Sequence, residues 1–255
     1  MEEPFGNLVE LFERSCDKFV ERPLYGTRRN GTWRWTSYGE VRALVDGCRA
    51  ELAGIGVGPG DRVAIVSSNR VEWAVIAFAA YGRGATVVPM YLEQLPDEWR
   101  FVLEDCGAKV VFAGNERSYT YLAAARHEMP ALERVIGLDL PRQDPSSYAA
   151  LLATGSTPIP TVPLDPSSVA DIVYTSGTTG KPKGVLLSHG NITSNVNAVR
   201  EIFPLDPDDR SLSFLPWAHS YGQMCEVDAL LSMGCSVALN DDISNLAANL
   251  ADGVP

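Results

Sequence analysis

Between Arg62 and Leu138 the chain alternates without interruption between short apolar runs and longer segments with helical spacing. Arg62–Ser67, Thr86–Pro89, Lys109–Ala113 and Arg134–Leu138 have the length and β-branched character of strands. Val71–Tyr81, Pro96–Asp105 and Glu116–His127 have the length of helices. The strand runs are apolar on consecutive positions, so both faces of the sheet must be covered. That pattern predicts an α/β fold with a parallel sheet flanked by helices.

The flanking segments carry their own punctuation. Asn7 and Glu10 have capping-box spacing ahead of Leu8, Leu11, Phe12 and Phe19, which predicts a first helix. Leu24–Arg29 and Thr32–Thr36 bracket Asn30-Gly31, the dipeptide favoured by a type I′ hairpin turn. Ser37 and Glu40 form a second capping box, followed by Val41, Leu44, Val45, Cys48 and Leu52 at helical spacing, with Gly54 as the expected stop. The stretch from Thr157 to Pro166 is rich in proline and is the expected boundary between a subdomain at residues 1–160 and a second at 161–255. Past it, two strand-like runs close a loop and lead into a helix capped at Ser188, with Ile192, Val196 and Val199 facing inward. Ser211–Leu215 and Cys235–Leu239 then read as strands around a helix at Tyr221–Met233, whose start has the Ser220–Gln223 capping-box spacing. A last helix is expected at Ile243–Ala251. A second sheet is therefore begun and left incomplete, with an unpaired edge.

The loop at Asp171–His189 carries the chemistry. It is built from hydroxyls, glycines and lysines: Tyr174-Thr-Ser-Gly-Thr-Thr-Gly-Lys-Pro-Lys-Gly184. The chain has 32 acidic and 21 basic residues, yet Ile172 to Arg200 contains no Asp or Glu, where the average density would supply about four. An acid-free, donor-rich loop in an acidic protein is suited to an anion, and a polyphosphate fits best. The loop is not a Walker A motif, because Pro182 stands where that motif needs Ser or Thr and a strand, not a helix, follows. Gly177, Gly180 and Gly184 allow close backbone approach. Thr175, Ser176, Thr178 and Thr179 offer hydroxyls, and Lys183 adds a charge on a long stem.

The ordering Y-T-S-G-T-T-G-K-P-K-G, followed by V-x-x-S-H, closely resembles the phosphate loop of the adenylate-forming (AMP-binding) superfamily. Leu215-Pro-Trp-Ala-His-Ser-Tyr-Gly222 resembles the family segment where a strand ends beside the acyl substrate. The chain most resembles the N-terminal part of a bacterial long-chain fatty-acyl-CoA synthetase. The resemblance implies the N-terminal portion of that enzyme's large domain and a ligase that joins a fatty acid to AMP and then to coenzyme A. Its cofactors would be ATP and Mg²⁺, with CoA as co-substrate. Thr175, Ser176, Gly177, Thr178, Thr179, Gly180 and Lys183 would grip the phosphates, and the Thr175 hydroxyl would help hold Mg²⁺. Lys181 falls at a looser position and is either a second phosphate ligand or a solvated charge. His219 would lie against the substrate carboxylate or the acyl entrance, and Trp217 would line or gate an apolar tunnel; the plainer alternative makes His219 a helix-start residue and Trp217 core. Absence of an Asp in this segment favours an uncharged acyl tail. The family's later Y-G-x-T-E and T-G-D stretches and its C-terminal lysine are not found here, so the chain alone is expected to be inactive.

Composition narrows the rivals. A net charge of −11 argues against a nucleic-acid binder. Five cysteines without C-x-x-C pairing, and the absence of a basic, apolar leader, predict a reduced, cytoplasmic protein. The longest apolar run, Trp73 to Tyr81, is far short of the roughly 20 residues that span a bilayer. Peripheral membrane contact and a homodimer stay open, as do a fatty-acyl-AMP ligase, an aryl-acid ligase and a non-catalytic phosphate-binding module.

Overall fold

The computed structural model describes residues 3–175, 181–240 and 242–251. Helix α1 (Leu8–Lys18) precedes a hairpin of β1 (Pro23–Arg29) and β2 (Thr32–Ser37), followed by α2 (Tyr38–Gly54). The alternating region gives β3 (Arg62–Val66), α3 (Val71–Gly82), β4 (Thr86–Met90), α4 (Pro96–Cys106), β5 (Val110–Ala113), α5 (Glu116–Ala125) and β6 (Arg134–Gly137). A short α6 (Tyr148–Leu152) follows, which the sequence pattern did not signal. Then come β7 (Val169–Thr175), β8 (Lys183–Ser188), α7 (His189–Ile202) and β9 (Arg210–Ser213). The next helix runs from 220 to 233 in three pieces: α8 (Ser220–Gly222), a π-helical segment (Gln223–Ala229) and α9 (Leu230–Met233). β10 (Ser236–Leu239) and α10 (Leu246–Ala251) complete the described chain.

The expected alternation folds as a parallel sheet in the order β6-β5-β3-β4-β7-β8, with only β8 antiparallel. Side chains on its strands divide with period two, the signature of a pleated strand covered on both faces. Val63, Ile65, Val110 and Phe112 join α1, α2, α3 and α7 on one side, while Ala64, Val66, Val111 and Ala113 meet Trp99, Val102 and Leu122 of α4 and α5 on the other. A second sheet, ordered β2-β1-β10-β9, closes the far side of the middle helical layer through Leu24, Tyr25, Val237 and Leu239. Phe12 of α1 and Phe78 of α3 stack at 4.5 Å within that layer.

Both sheets draw strands from either side of residue 160, where the boundary was expected. The hairpin β7–β8, beyond the proline-rich connector, extends the first sheet through Val87 and Asp171. The early hairpin instead joins the second sheet, with Tyr25 opposite Val237. Each apolar strand takes the neighbour that buries it on both faces, and the chain order of the partners does not matter to that burial.

Local signals are met with small shifts. Asn30 (φ 51°) and Gly31 (φ 76°) both occupy the left-handed region that the I′ turn requires. The Ser37–Glu40 and Ser188–Asn191 capping boxes form. Asn7 caps the Glu10 N–H, but the Glu10 carboxylate accepts from Gly6, one residue earlier than expected. α2 runs through Gly54 and the chain reverses at Gly56 (φ 82°), while Leu44, expected inward, is 38% exposed. The Ser220–Gln223 box does not form, because His219 takes the capping place. Among the described residues no helix is long and apolar enough to cross a membrane.

Two buried tyrosines, Tyr38 of α2 and Tyr25 of β1, separate packing from hydrogen bonding. Tyr38 Oη donates to one of the carbonyls of Leu231 (3.1 Å) and Cys235 (2.8 Å), whereas Tyr25 Oη has no hydrogen-bond partner among the described residues. Tyr38→Phe is expected to lose about 1–2 kcal/mol of stability and Tyr25→Phe to change it by less than about 0.5 kcal/mol. Urea unfolding midpoints at unchanged slope provide the measurement.

Candidate functional site

Strands β7 and β8 pair antiparallel from Val169–Ser188 to Thr175–Lys183, so Thr175 and Lys183 stand opposite each other where the hairpin opens. Both are exposed, as is Lys181. Ser176, Gly177, Thr178, Thr179 and Gly180 lie outside the described residues. Gly184 faces Tyr174 across the ladder, and a Cβ there would meet Ile172 Cγ2 at 2.8 Å and Tyr174 Cζ at 3.2 Å. Glycine is therefore a packing requirement at this position. Tyr174 Oη donates to Asp105 Oδ2 at 2.6 Å, so the acid-free run acquires an acidic neighbour from α4 in three dimensions.

The second motif is held by two side chains that sequence reasoning missed. Glu226, 5% exposed on the π segment, accepts from Ser213 Oγ, from Trp217 Nε1 (2.9 Å) and from the N–H groups of Phe214 (3.3 Å) and Leu215 (3.2 Å). Asn69, between β3 and α3, accepts from the Trp217 N–H at 2.8 Å and donates to Leu215 O (2.7 Å) and Ser213 Oγ (2.9 Å). A buried carboxylate needs such a donor set, since unpaired it would carry its full desolvation cost. The available signal was a pair of acids, Glu226 and Asp228, inside a largely apolar helix.

Trp217 is fully buried, its ring 5.7 Å from both Tyr25 and Trp73, and it has no surface open to a tunnel in this arrangement. His219 is exposed, and its Nδ1 accepts from the Tyr221 N–H at 3.1 Å at the start of α8. Gly222 lies so close beneath Pro216 that a Cβ would sit 2.4 Å from its carbonyl oxygen. Thus the segment presents His219 outward and keeps Trp217 inside.

A cleft of about 430 Å³ opens at the C-terminal ends of β3, β4, β9 and β10, where open α/β sheets bind ligands. Asn69, Arg70, Ser213, Phe214, Pro216 and Ala218 contribute to its wall. The two residues flanking Trp217 therefore reach the cleft, while Thr175 and Lys183 are not among its lining. Arg70 is committed to Glu72 and Asp139, both at 2.9 Å.

A third polar group lies between the motifs. Asp171 of β7 is buried and accepts from Tyr81 Oη (2.7 Å) and Gln223 Nε2 (2.9 Å), and burial pushes its carboxyl up to about 7. Asp228, also buried, has no hydrogen-bond partner on either oxygen among the described residues and is pushed well up, first by burial and then by the Asp171 charge. His189 begins α7, accepts from the Leu8 N–H at 3.4 Å, and is lowered to about 4 by burial.

Comparison with known proteins places these features in a family. The profile described as AMP-binding enzyme matches residues 12–252. The long-chain-fatty-acid–CoA ligase FadD15 of Mycobacterium bovis is 32% identical over 252 residues, covering 96% of this chain and 41% of the ligase. The peroxisomal long chain acyl-CoA synthetase 7 of Arabidopsis thaliana is 31% identical over 237 residues, covering 85% of this chain and 33% of the synthetase. The N-terminal domain of FACL13 from Mycobacterium tuberculosis superposes with a TM-score of 0.82 at 25% identity, covering 95% of this chain and 59% of that one. The chain thus spans less than half the length of these curated relatives.

Opposite pH dependences follow from the two buried titrating groups. His189 falls from 6.5 to about 4 on folding, so its contribution is complete above pH 6.5 and is lost as pH drops towards 4. The limit of that loss is about 3 kcal/mol. Asp171 rises from 3.8 to about 7, so the folded chain retains a proton that the unfolded chain releases, and its contribution is lost as pH rises through 7. Urea midpoints between pH 4 and 8 should show His189→Asn removing a rise in stability between pH 4 and 6.5, and Asp171→Asn removing a fall across pH 4 to 7.

Proposed function

This chain belongs to the AMP-binding enzyme family, and on that premise we propose that it forms the N-terminal part of an ATP-dependent acyl-CoA synthetase acting on a fatty acid. The observation that carries the reading is the Y-T-S-G-T-T-G-K-P-K-G loop closing an antiparallel hairpin, with Thr175 and Lys183 facing each other at its mouth. The names of the relatives, long-chain-fatty-acid–CoA ligase and long chain acyl-CoA synthetase, support the substrate class and the use of CoA.

In the proposed reaction a carboxylate oxygen attacks the α-phosphorus of ATP. The bond to the bridging oxygen breaks, pyrophosphate leaves, and an acyl-adenylate remains. A thiol then attacks the acyl carbon, loses its proton, and releases AMP. The first step brings two anions together, so charge neutralisation and in-line placement dominate its catalysis. Lys183 and the loop from Thr175 to Gly180 are proposed to hold the β- and γ-phosphates, with backbone amides and hydroxyls donating. Lys183 is exposed at the start of β8 and has the reach for this role. Thr175 offers one hydroxyl to Mg²⁺, and no group of three or more His, Cys, Asp or Glu gathers around a metal among the described residues. Such a donor set suits a cation that arrives on ATP and keeps mainly phosphate and water ligands. When bound, the ion would offset phosphate charge.

His219 is proposed to face the substrate carboxylate from the helix start. Its ring acts as acceptor towards Tyr221 through Nδ1, which leaves Nε2 as the N–H donor in the neutral tautomer. Trp217, being buried, is proposed to act by fixing the backbone of 215–219 rather than by touching the acyl chain.

Carboxylate-dependent ATP–pyrophosphate exchange tests the reading. Replacing Lys183 and Thr178 together by Ala in the longer enzyme should lower exchange by about 10²-fold or more, and undiminished exchange would overturn the phosphate-loop assignment. The 255-residue chain alone is expected to show no exchange.

A further inference from the structure

Gln223 sits four residues after His219, at the start of the π segment, and is 2% exposed. Its Nε2 donates to Tyr81 Oη at 3.0 Å and to Asp171 Oδ2 at 2.9 Å, while Tyr81 Oη donates to Asp171 Oδ1 at 2.7 Å. The three bonds close a triangle between α3, β7 and the 220–233 helix. Asp171 is four residues before Thr175 on β7, a run of about 13 Å along an extended strand. Gln223 is about 6 Å along the axis from the helix start. Both are regular elements, so the triangle is a buried polar tie between the strand that leads to Thr175 and the helix capped by His219.

We propose that Gln223 is a positioning residue, one that sets the register between these two elements and so aligns the phosphates with the carboxylate. The inference rests on the function proposed above. Two features argue that the triangle is more than filling. The Gln223 amide nitrogen is spent on a carboxyl and a phenol of two other elements, not on its own backbone. The π segment also lets one face of a single helix serve both motifs, with Gln223 on β7 and Glu226 on the 213–217 segment. The titratable groups around the amide are Asp171 on β7, Tyr81 on α3, His189 on α7 (its ring 5.4 Å from that of Tyr81) and Asp228 on the same helix.

Amide hydrogen exchange on the 255-residue chain tests the tie without needing turnover. Gln223→Met keeps the volume and removes both donors. It should lower protection by at least 10-fold at residues 172–175 and 183–186 and, together with them, at 217–222. Leu122→Ala, on the far face of the six-stranded sheet, is the control for general destabilisation and should leave these two segments no more affected than the rest. Gln223→Glu supplies a donor only when a proton is shared with Asp171, so it should approach wild-type protection at pH 5 and match the Met variant at pH 8. Loss confined to the 220–233 helix, or a Glu variant insensitive to pH, would overturn the proposal. If instead the Lys183/Thr178 variant of the longer enzyme exchanges normally, the phosphate-loop reading fails while the protection pattern still decides whether the two elements are coupled.

Discussion

The Glu226 carboxylate is almost wholly removed from water, and a charge or acid in that position has to be met by donors. Four are assembled around it: the Ser213 hydroxyl, the Trp217 indole N–H and the N–H groups of Phe214 and Leu215. Meeting them constrains the path of the chain from the end of β9 to His219. The indole cannot bond Glu226 without entering the core between Tyr25 and Trp73, and that ties the segment to β1 and α3. Asn69 completes the arrangement from the opposite side by bonding the backbone of Leu215 and Trp217. With Trp217 anchored, the residues on either side of it turn outward to the cleft.

The same economy governs the layers. Neither sheet is made from consecutive chain. β1 waits for β10, more than 200 residues later, and β4 for β7, across the α4–β6 region and the proline-rich connector. Loops of that length are costly to close, but the cost grows only slowly with length. The helical layer between the sheets repays it with a continuous apolar core that runs from Phe5 to Leu239. One consequence is that the β7–β8 hairpin forms an edge of the six-stranded sheet, with β7 beside β4 and β8 outermost. Its base is paired into the sheet, while its mouth at Thr175 and Lys183 faces solvent.

Buried polar groups tell the two motifs apart from their scaffolding. Lys183 and His219 are exposed and make few demands on the fold. Asp171, Tyr81, Gln223, Glu226 and Asn69 are interior or half-interior and make many, yet nothing in their local spacing marks them. An acid within an apolar helix, as at Glu226 and Asp228, was the one visible clue. Its two instances differ: Glu226 is met by four donors, whereas Asp228 has none among the described residues and is pushed towards its neutral form.

What was legible in the residues alone is whatever depends on neighbours within a few positions. The strand and helix runs from Arg62 to Leu138, the Asn30-Gly31 turn and the Ser37 and Ser188 caps all follow from periodicity, left-handed backbone preference and local donors. Only the tertiary structure decided that the proline-rich connector separates no sheets, that Trp217 is core, that His219 displaces Ser220 as the cap, and that Gln223 joins two motifs. These outcomes turn on which distant surfaces are apolar enough to exclude water and which donors lie there to meet a buried oxygen. Pairings of that kind are made across hundreds of residues and leave no periodic trace in the chain.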